Sequence, residues 1–249
     1  MYQVKQLLTT NNAKTIKGEI LGYQTHILYM SPYTHNSKGI NACSHASKGC
    51  AESCLVGSGR GRFPVVKKGR LAKTEYFLAN RIEFLNQLFN EITTIVRRSN
   101  GKSIPVIRLN GTSDWVYEKY RIFDNNTKNL FEMFPNVQFY DYTKNHTRFK
   151  KTLPSNYHLT FSRSEDNHDM TIALLIKGYN VAIVFKKVPD FYMGFKVING
   201  DENDLRFLDE KNVIVGLKYK NLTSEGVDNT LGLKSGFVVD VGTEFKKVA

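Results

Sequence analysis

The sequence lacks the features that mark membrane, secreted or common nucleotide-binding proteins. It has no apolar run near the roughly 20 residues that a bilayer-spanning helix needs. Its first residues contain no long apolar stretch with a small-residue cleavage site, so we expect no secretion signal. It also has no Walker-type phosphate loop and no GxGxxG motif after a strand, so a phosphate-binding enzyme of either type has no support. These absences predict a cytoplasmic protein without membrane contact.

No segment rich in proline, glycine and serine divides the chain, so we expect a single α/β domain over residues 1–249. An aromatic content of 12% is too high for a chain that stays disordered. Two features are unusual in this otherwise ordinary composition. The formal charge is +12, and the three cysteines lie within one short segment.

The positive charge is concentrated in the first hundred residues, where fourteen Lys and Arg face five Asp and Glu. Residues 200–249 have seven basic and nine acidic side chains. The acid-free first basic run is Arg60, Arg62, Lys67, Lys68, Arg70 and Lys73, and the second is Lys144, Arg148, Lys150 and Lys151. Such runs attract polyanions, so they predict a nucleic-acid or phosphorylated partner or, alternatively, only a solubilising surface.

Hydrophobic periodicity predicts strands and helices that alternate along the chain. The first strand is predicted over Tyr23–Met30, and a loop rich in glycine, serine and cysteine follows over residues 31–61. A single long helix from Ala72 to Arg98 is predicted by an apolar stripe at Leu78, Ile82, Leu85, Phe89, Ile92 and Val96. Further strands are predicted over Ile104–Leu109, Val137–Tyr140, Tyr157–Phe161, Val181–Phe185 and Val213–Leu217. Further helices are predicted over Val116–Phe134 and Asp166–Lys177. The C-terminal edge segment, 220–249, is predicted to contain an edge strand over Phe237–Val239.

Repeated βα units predict a mostly parallel sheet, built either as a partial (βα)6-type barrel or as an open sheet. In both folds ligands bind where the carboxyl ends of the strands meet the following loops. The predicted strand ends carry polar or charged residues in every case, namely Asn110, Ser113, Asp114, Asp141, Lys144, Ser162, Arg163, Glu165, Lys186 and Lys218. As a set on one rim they predict a binding site, although each residue alone is also typical of a solvated turn.

The three cysteines have the spacing C-x6-C-x3-C, at Cys43, Cys50 and Cys54. An odd number of thiols in a cytosolic chain argues against a disulfide framework. Thiolates are soft ligands, so the segment favours a metal. Two sites stay open: structural zinc with His45 as fourth ligand, or a [4Fe–4S] cluster whose fourth iron is free to bind a small molecule. Unligated core cysteines are a third alternative, which the surrounding serine, glycine and lysine disfavour.

A strand, a three-cysteine loop and a helix at the start of a partial βα barrel resemble the radical S-adenosylmethionine enzymes. In that family three cysteines hold a [4Fe–4S] cluster, and the amino and carboxylate groups of S-adenosylmethionine chelate the open iron. The resemblance implies that Cys43, Cys50 and Cys54 ligate such a cluster here. Their spacing differs from the family's usual C-x3-C-x2-C.

More closely, the chain resembles the bacteriophage gene-product-eighty-eight family. The resemblance is carried by five segments, Cys43–Gly61, Arg108–Asp114, Phe139–Lys144, Asn156–Glu165 and Gly200–Asp209. It implies a phage or prophage origin, and hence the host cytoplasm as the place of action, but no particular activity.

The resemblance to the radical enzymes also implies roles for residues near the strand ends. The cofactor-binding group would be Asn110, Ser113, Asp114, Ser162, Arg163 and Glu165, with Gly57, Gly59 and Gly61 allowing tight turns beside the cluster. The catalytic group would be Asp141, Lys144 and Tyr142, which leave the same strand as Tyr140, with the Tyr142 ring stacking on an adenine or a base.

The chain also contains histidines and acidic residues, which are metal ligands in many proteins, but here we expect mainly structural roles for them. His26, His146 and His158 are predicted to be packed or surface histidines rather than ligands. The acidic residues Asp201, Glu202, Asp204 and Asp209 suggest a solvated loop or, less simply, a divalent-cation site.

Two functions follow as hypotheses. The first is an iron–sulfur, radical S-adenosylmethionine-like enzyme that modifies a nucleotide or nucleic acid. The second is a non-enzymatic nucleic-acid-binding phage protein whose cysteine loop holds a structural zinc or iron–sulfur site. Because the first basic run starts at Arg60, directly after the cysteines, we expect the anion at the mouth of the cysteine site.

Overall fold

The structure, a computed structural model, describes residues 4–10, 13–57, 59–123, 127–220, 228 and 230–244. The strands are β1 (Leu8–Thr9), β2 (Tyr23–Leu28), β3 (Ile104–Arg108), β4 (Gln138–Thr143), β5 (Tyr157–Ser162), β6 (Val181–Phe185), β7 (Phe191–Tyr192), β8 (Phe195–Asn199) and β9 (Ile214–Lys218). The α-helices are α1 (Ala13–Glu19), α2 (Lys48–Glu52), α3 (Pro64–Ala79), α4 (Arg81–Ser99), α5 (Leu130–Met133), α6 (His168–Ile176), α7 (Leu231–Lys234) and α8 (Val241–Glu244). Short 3-10 turns lie at Leu55–Gly57, Gly59–Arg62, Tyr117–Lys119, His146–Lys150, Glu165–Asn167 and Arg206–Leu208.

The strands form one nine-stranded sheet in the order β1-β2-β3-β4-β5-β6-β9-β8-β7. The pairs from β2 through β6 to β9, and the pair β9–β8, are parallel, whereas β1 and β7 pair antiparallel at the two edges. The predicted mostly parallel sheet is therefore confirmed, and it is not closed. The strands from β2 to β6 and on to β9 are neighbours in chain order, as expected for a partial barrel, whereas β9, β8 and β7 run against chain order at the last edge.

The two faces of the sheet differ in what covers them, because successive side chains of a strand point to opposite faces. On the outer face, Leu88 of α4 joins Ile107 and Phe139 in one apolar cluster. Leu175 of α6 joins Ile183 in a second cluster on the same face. The opposite, inner face carries a mixture of side chains, which includes Arg108, Tyr142 and Ser162 beside the apolar Val184 and Leu217.

One end of the inner face is closed by the chain that follows β8. Leu205 packs against Val106 and Tyr140 there, and the neighbouring Arg206 is buried and pairs with Asp209 at 3.2 Å. This segment therefore covers the part of the inner face that Val106 and Tyr140 form.

The predicted helix from Ala72 to Arg98 is wrong in one respect, since the structure contains two helices. Asn80, with φ −137° and ψ 67°, ends α3 and begins α4. The backbone of Asn80 serves both helices, because its N–H donates to the Tyr76 carbonyl oxygen at 2.8 Å and its carbonyl oxygen accepts from the Phe84 N–H at 3.0 Å. The buried stripe of α4 is Phe84, Leu85, Leu88 and Ile92, whereas Ile82 of the predicted stripe is 44% exposed.

The predicted helix over Val116–Phe134 is also wrong. The described part of this segment contains only the turn at Tyr117–Lys119 and the four residues of α5. Tyr117 is buried and Tyr120 is half-buried, and their rings lie 6.1 and 5.6 Å from the ring of Phe77. Packing around one central ring therefore replaces the helix that the spacing of apolar residues suggested.

The predicted strand Phe237–Val239 is reduced to one parallel bridge between Val239 and Phe185. Residues 221–227, 229 and 245–249 of the predicted C-terminal edge segment lie outside the described residues. The elements β1, α1, β7 and β8 have no counterpart in the sequence prediction. Two-residue strands such as β1 and β7 carry too little periodicity, and β8 has no buried residue, so it lacks the apolar run that marks the central strands. Within the described part of the chain, no helix is both long and apolar enough to cross a bilayer.

Candidate functional site

A cavity of about 710 Å³ opens at the carboxyl ends of the parallel strands. We call it the cysteine cavity. Each central strand contributes an inner-face side chain near its end, and these are Tyr29, Arg108, Tyr142, Ser162, Val184 and Leu217. The loop after β2 supplies the opposite wall, including all three cysteines. The cavity lies where parallel βα folds bind ligands, and its volume falls in the range of about 300–1,000 Å³ typical of small-molecule sites.

The cysteine loop is organised around the short helix α2. Ser47 is its N-cap, and the Ser47 hydroxyl accepts a hydrogen bond from the Cys50 backbone N–H at 3.2 Å. Two 3-10 turns follow and lead into α3, and Gly59 begins the second of them with φ +51°. That positive φ explains why a glycine is needed at this position. Gly61 lines the cavity, while Gly57 ends the first turn.

A carboxylate from the end of β5 fixes α2. The Glu165 carboxylate accepts a hydrogen bond from the Ser47 hydroxyl at 2.7 Å and one from the Gly49 N–H at 2.6 Å. A Cβ on Gly49 would lie only 2.9 Å from Phe237 Cβ and 2.6 Å from the Glu165 carboxylate, so glycine is required for this close approach. Glu165 therefore positions the helix that carries Cys50, and does not line the cavity.

The neighbouring Arg163 holds the C-terminal segment against the site. Its guanidinium donates to the carbonyl oxygens of Gly236 at 2.5 Å and Phe237 at 3.0 Å. The Phe237 side chain lines the cysteine cavity. Arg163, which the resemblance placed in the cofactor-binding group, thus bonds to two backbone acceptors and holds the segment that carries Phe237.

The three thiols face the same cavity. Cys43 Sγ lies 3.7 Å from the Thr112 carbonyl oxygen and donates to it. Burial, together with the neighbouring Cys54 and Asp114, raises the pKa of Cys43 to about 12. Burial also raises the pKa of Cys54, while Lys144 and Arg70 oppose that rise.

The donor set of three thiols suits iron or zinc, but the side chains do not form a finished metal site. Among the described residues, no group of three His, Cys, Asp or Glu is arranged to hold a metal ion. His45, the alternative zinc ligand, is hydrogen-bonded through Nδ1 to the Ser44 hydroxyl at 2.9 Å. A metal would therefore have to draw the three thiols closer together.

The turn after β3 lines the cavity, but its side chains are bonded to the protein. Asn110 Oδ1 accepts from the Ser113 hydroxyl at 2.9 Å and from the Trp115 N–H at 2.8 Å. The Asp114 carboxylate accepts from the Thr143 hydroxyl at 2.7 Å. These predicted cofactor-binding residues thus border the cavity while their polar groups stabilise the turn.

Asp141 lies beneath the turn rather than in the cavity lining. Its fully buried carboxylate accepts hydrogen bonds from the Asn110 N–H at 2.7 Å, the Asn110 Nδ2 at 3.2 Å and the Tyr157 hydroxyl at 2.8 Å. Burial raises the pKa of Asp141 to about 6, although Arg108 and these hydrogen bonds oppose the rise. The placement makes Asp141 a residue that positions Asn110.

Two of the three predicted catalytic residues do line the cavity. Lys144 Nζ donates to the Ser162 hydroxyl at 2.8 Å and lies 5.6 Å from the centroid of the Phe237 ring. The Tyr142 ring packs under the Arg108 guanidinium, with 4.8 Å between the ring centroid and Cζ. Lys144 and Tyr142 therefore project inward from β4, whereas Asp141 projects outward, as strand alternation requires.

The basic runs divide between the cavity and the outer surface. Arg60, Arg70 and Lys73 line the cavity, whereas Arg62, Lys67 and Lys68 are exposed outside it. Lys73 Nζ donates to the Leu7 carbonyl oxygen at 2.6 Å, and burial lowers its pKa to about 8.

In the second run, Arg148 is an internal residue rather than an anion contact. Its guanidinium pairs with Glu118 at 2.8 Å and Asp114 at 3.3 Å, and only 2% of its side chain is exposed. Lys150 and Lys151 of this run are exposed. At the other strand ends, Lys218 lines the cavity, and the half-exposed Lys186 pairs with Asp240 at 2.9 Å.

The acidic residues after β8 are divided among separate partners and do not converge. Asp204 accepts from Arg108 at 2.9 Å, and Asp209 pairs with Arg206. Asp201 accepts from the Lys218 N–H at 2.8 Å. Three of these four carboxylates therefore accept hydrogen bonds or ion pairs from within the protein.

The histidines predicted to be structural include two that are largely enclosed. Burial lowers the pKa of His26 to about 4, and that of His158 also to about 4. Both are therefore neutral at physiological pH, as expected for packed imidazoles.

The lining residues that sequence reasoning did not assign to a site include Tyr29 and Arg108, and Asp204 was assigned only to a solvated loop or a divalent-cation site. Tyr29 directly follows β2, and Arg108 ends β3, so the rule that inner-face residues near strand ends form the site contained the necessary signal. Asp204 had no such signal, because it reaches the cavity from the segment that closes the inner face.

Comparison with known proteins assigns a family. The profile of the family described as Gene product 88 matches residues 6–240, a span that includes the cysteine loop and every strand that borders the cavity. Neither curated proteins nor solved structures give a match. The likeness to radical S-adenosylmethionine enzymes therefore remains a prediction based on architecture and cysteines. The chain belongs to the phage gene product 88 family.

Proposed function

We propose that the protein is an iron–sulfur enzyme of the radical S-adenosylmethionine type that acts on a nucleotide or nucleic acid in the host cytoplasm. The observation that carries the proposal is the position of the cysteines. Cys43, Cys50 and Cys54 follow the first parallel strand of an unclosed sheet and face one cavity at the carboxyl ends of its strands. This combination places soft ligands where parallel βα folds carry out chemistry.

Three thiols suit a cluster that keeps one iron open better than they suit a closed zinc site, which needs four protein ligands. His45 is the nearest fourth ligand in sequence, and its Nδ1 is hydrogen-bonded to the Ser44 hydroxyl, so a metal would have to bind at Nε2. When bound, such a cluster with S-adenosylmethionine supplies a carbon radical that can abstract hydrogen from a substrate.

The chain's own residues bind, orient and enclose the reactants. Arg70 and Lys144 flank Cys54 and stabilise the negative charge that thiolates bring into the cavity. The Tyr142 ring offers a stacking surface for an adenine or a base, and Phe237 walls the cavity on the opposite side. Glu165 holds α2, and with it Cys50, at the end of β5.

The test is metal analysis followed by cofactor turnover. Anaerobically reconstituted protein should be brown, contain about three to four irons per chain and release 5′-deoxyadenosine from S-adenosylmethionine when reduced. Replacement of any of the three cysteines by serine should remove both iron and turnover while the protein remains folded. A colourless protein with one zinc, or an iron protein that never cleaves S-adenosylmethionine, would refute the proposal.

A second candidate function is non-enzymatic binding of nucleic acid around a structural metal in the cysteine loop. It is favoured by the exposed residues Arg62, Lys67 and Lys68, which lie outside the cavity on the outer surface. It predicts tight binding to DNA or RNA with a steep salt dependence, and loss of that binding when these residues are neutralised. It also predicts that a Cys50→Ser variant fails to fold, whereas the enzyme hypothesis predicts a folded and inactive variant.

A further inference from the structure

The charged side chains that line the cysteine cavity have a large positive excess. Seven cations contribute to the lining, namely Arg60, Arg70, Lys73, Arg108, Lys144, Lys218 and Lys220, against three carboxylates, Asp114, Asp201 and Asp204. Each carboxylate already accepts from the protein: Asp204 from Arg108, Asp114 from Thr143, and Asp201 from the Lys218 N–H. Asp204 pairs with Arg108, and Asp201 pairs with Lys220 at 3.6 Å, so the carboxylates offset part of the charge. Seven cations against three carboxylates leave an excess of four positive charges in the described lining.

The cavity also contains buried hydrogen-bond donors that have no partner. Arg70 is the clearest case, because both its Nε and its Nη1 are buried without a hydrogen-bond partner while its side chain lines the cavity. The Arg70 guanidinium lies 5.2 Å from the centroid of the Tyr29 ring, which leaves its donor edge unused. The hydroxyls of Tyr142 and Tyr219 are likewise buried, unpartnered and in the lining. Buried donors without partners are costly, so a bound acceptor would compensate them.

Lys144 is a second cation of the cavity lining. Its contact with Ser162 uses one of the three donors of an ammonium group. Both cations line the cavity, Lys144 against Ser162 and Phe237, and Arg70 over the Tyr29 ring. A planar guanidinium beside an ammonium is the usual arrangement for binding a phosphate.

S-Adenosylmethionine does not account for this charge, because its sulfonium and ammonium groups outnumber its one carboxylate. A second ligand with more negative charge fits the excess. The aromatic rings of Tyr29, Tyr142, Tyr219 and Phe237 also line the cavity and suit a stacked base. A cavity of about 710 Å³ accepts a small molecule but not a duplex.

We infer that the cysteine cavity binds a free nucleoside monophosphate, with the Arg70 guanidinium and the Lys144 ammonium holding its phosphate. The inference rests on the proposed function for the reaction that follows binding, whereas the binding itself needs no turnover. It narrows the substrate to a mononucleotide and places the phosphate beside Cys54.

Calorimetric titration of the full-length, anaerobically purified protein tests the inference, with adenosine, guanosine, cytidine and uridine 5′-monophosphates and the four nucleosides as probes. At least one monophosphate should bind about tenfold or more tightly than its nucleoside. Arg70→Gln should abolish that advantage, and Arg70→Lys should restore only part of it, because lysine keeps the charge but not the planar fork. Lys144→Gln should weaken the same monophosphate by a similar factor.

Lys67→Gln is the matched control, since Lys67 lies on the same helix but is exposed and outside the cavity lining. Its affinity for the monophosphate should equal that of the unaltered protein. Equal binding of nucleoside and monophosphate, wild-type binding by a folded Arg70→Gln variant, or an equal loss in Lys67→Gln would overturn the inference. Binding of a single-stranded oligonucleotide that depends on Lys67 and not on Arg70 would also overturn it.

Iron content measured on the same preparations separates the two proposals. Protein without iron that still binds the monophosphate through Arg70 would refute the proposed function but support the inference about the monophosphate. Protein with a full cluster and no phosphate-dependent binding would support the proposed function and refute the inference about the monophosphate.

Discussion

Glu165 links β5 to the cysteine helix, so its removal tests whether α2 is held from outside the cysteine loop. In Glu165→Ala, the Ser47 hydroxyl and the Gly49 N–H lose a charged acceptor at 2.7 and 2.6 Å. Hydrogen bonds to charged groups contribute about 1.5–3 kcal/mol each, and half-burial reduces that value. We therefore expect the free energy of unfolding to fall by about 2 kcal/mol.

Urea unfolding followed by circular dichroism measures this loss, and Asp166→Ala is the matched control because Asp166 is the exposed neighbour in the same turn. The control should change stability by less than about 0.5 kcal/mol. The Glu165→Ala variant should also retain less metal than the control, since Cys50 lies on α2. If Glu165→Ala and Asp166→Ala unfold at the same urea concentration and hold the same metal, the carboxylate does not position the helix.

Three further changes test other parts of the account. Gly49→Ala places a Cβ 2.9 Å from Phe237 Cβ, so thermal unfolding should show a loss of about 1–3 kcal/mol from overpacking. Arg148→Met leaves Glu118 and Asp114 without their buried partner, and urea titration should show a loss of about 3–5 kcal/mol. Burial raises the pKa of Asp141 from 3.8 to about 6 in the folded state, so the native state binds this proton more tightly than the unfolded chain does. The contribution of Asp141 to the free energy of unfolding is therefore greatest below about pH 4. It falls by up to about 3 kcal/mol as the pH rises through 6. Asp141→Asn should lack that pH-dependent part, and unfolding free energies of both proteins that change in parallel from pH 4 to 7 would contradict this assignment.

The sheet could be predicted from sequence because its strands are short apolar runs that end in polar residues. Val181–Phe185 matches the prediction at both ends, since a fully buried strand reads as a continuous apolar run. The helix break at Asn80 could not be read from periodicity, because the apolar spacing continues across it. The false helix after Val116 has a different cause, since aromatic residues there pack around Phe77 from irregular backbone.

The candidate site was predictable in position but not in the orientation of its side chains. The strand-end rule correctly gathered Lys144 and Ser162 at one cavity. Asp141 is one residue before Tyr142, yet the alternation of side chains sends it to the opposite face. Arg163 and Glu165 bond to segments distant in sequence, and single-residue reasoning contains no information about those partners.

Arg70 is a second residue whose orientation could not be predicted from the sequence. The sequence shows Arg70 as part of the first basic run, but it predicts anion binding equally for Arg62 and Lys67 of that run. Only the structure separates them, because helix α3 turns Arg70 toward the cavity and leaves Lys67 in solvent.

Metal analysis of the anaerobically purified protein tests the central claim most directly. Iron and acid-labile sulfide should be present in roughly equal amounts, about three to four per chain, with brown charge-transfer absorption. Serine substitution of Cys43, Cys50 or Cys54 should remove both without unfolding the chain. A colourless protein that contains one zinc, or iron that survives loss of all three cysteines, would contradict the account.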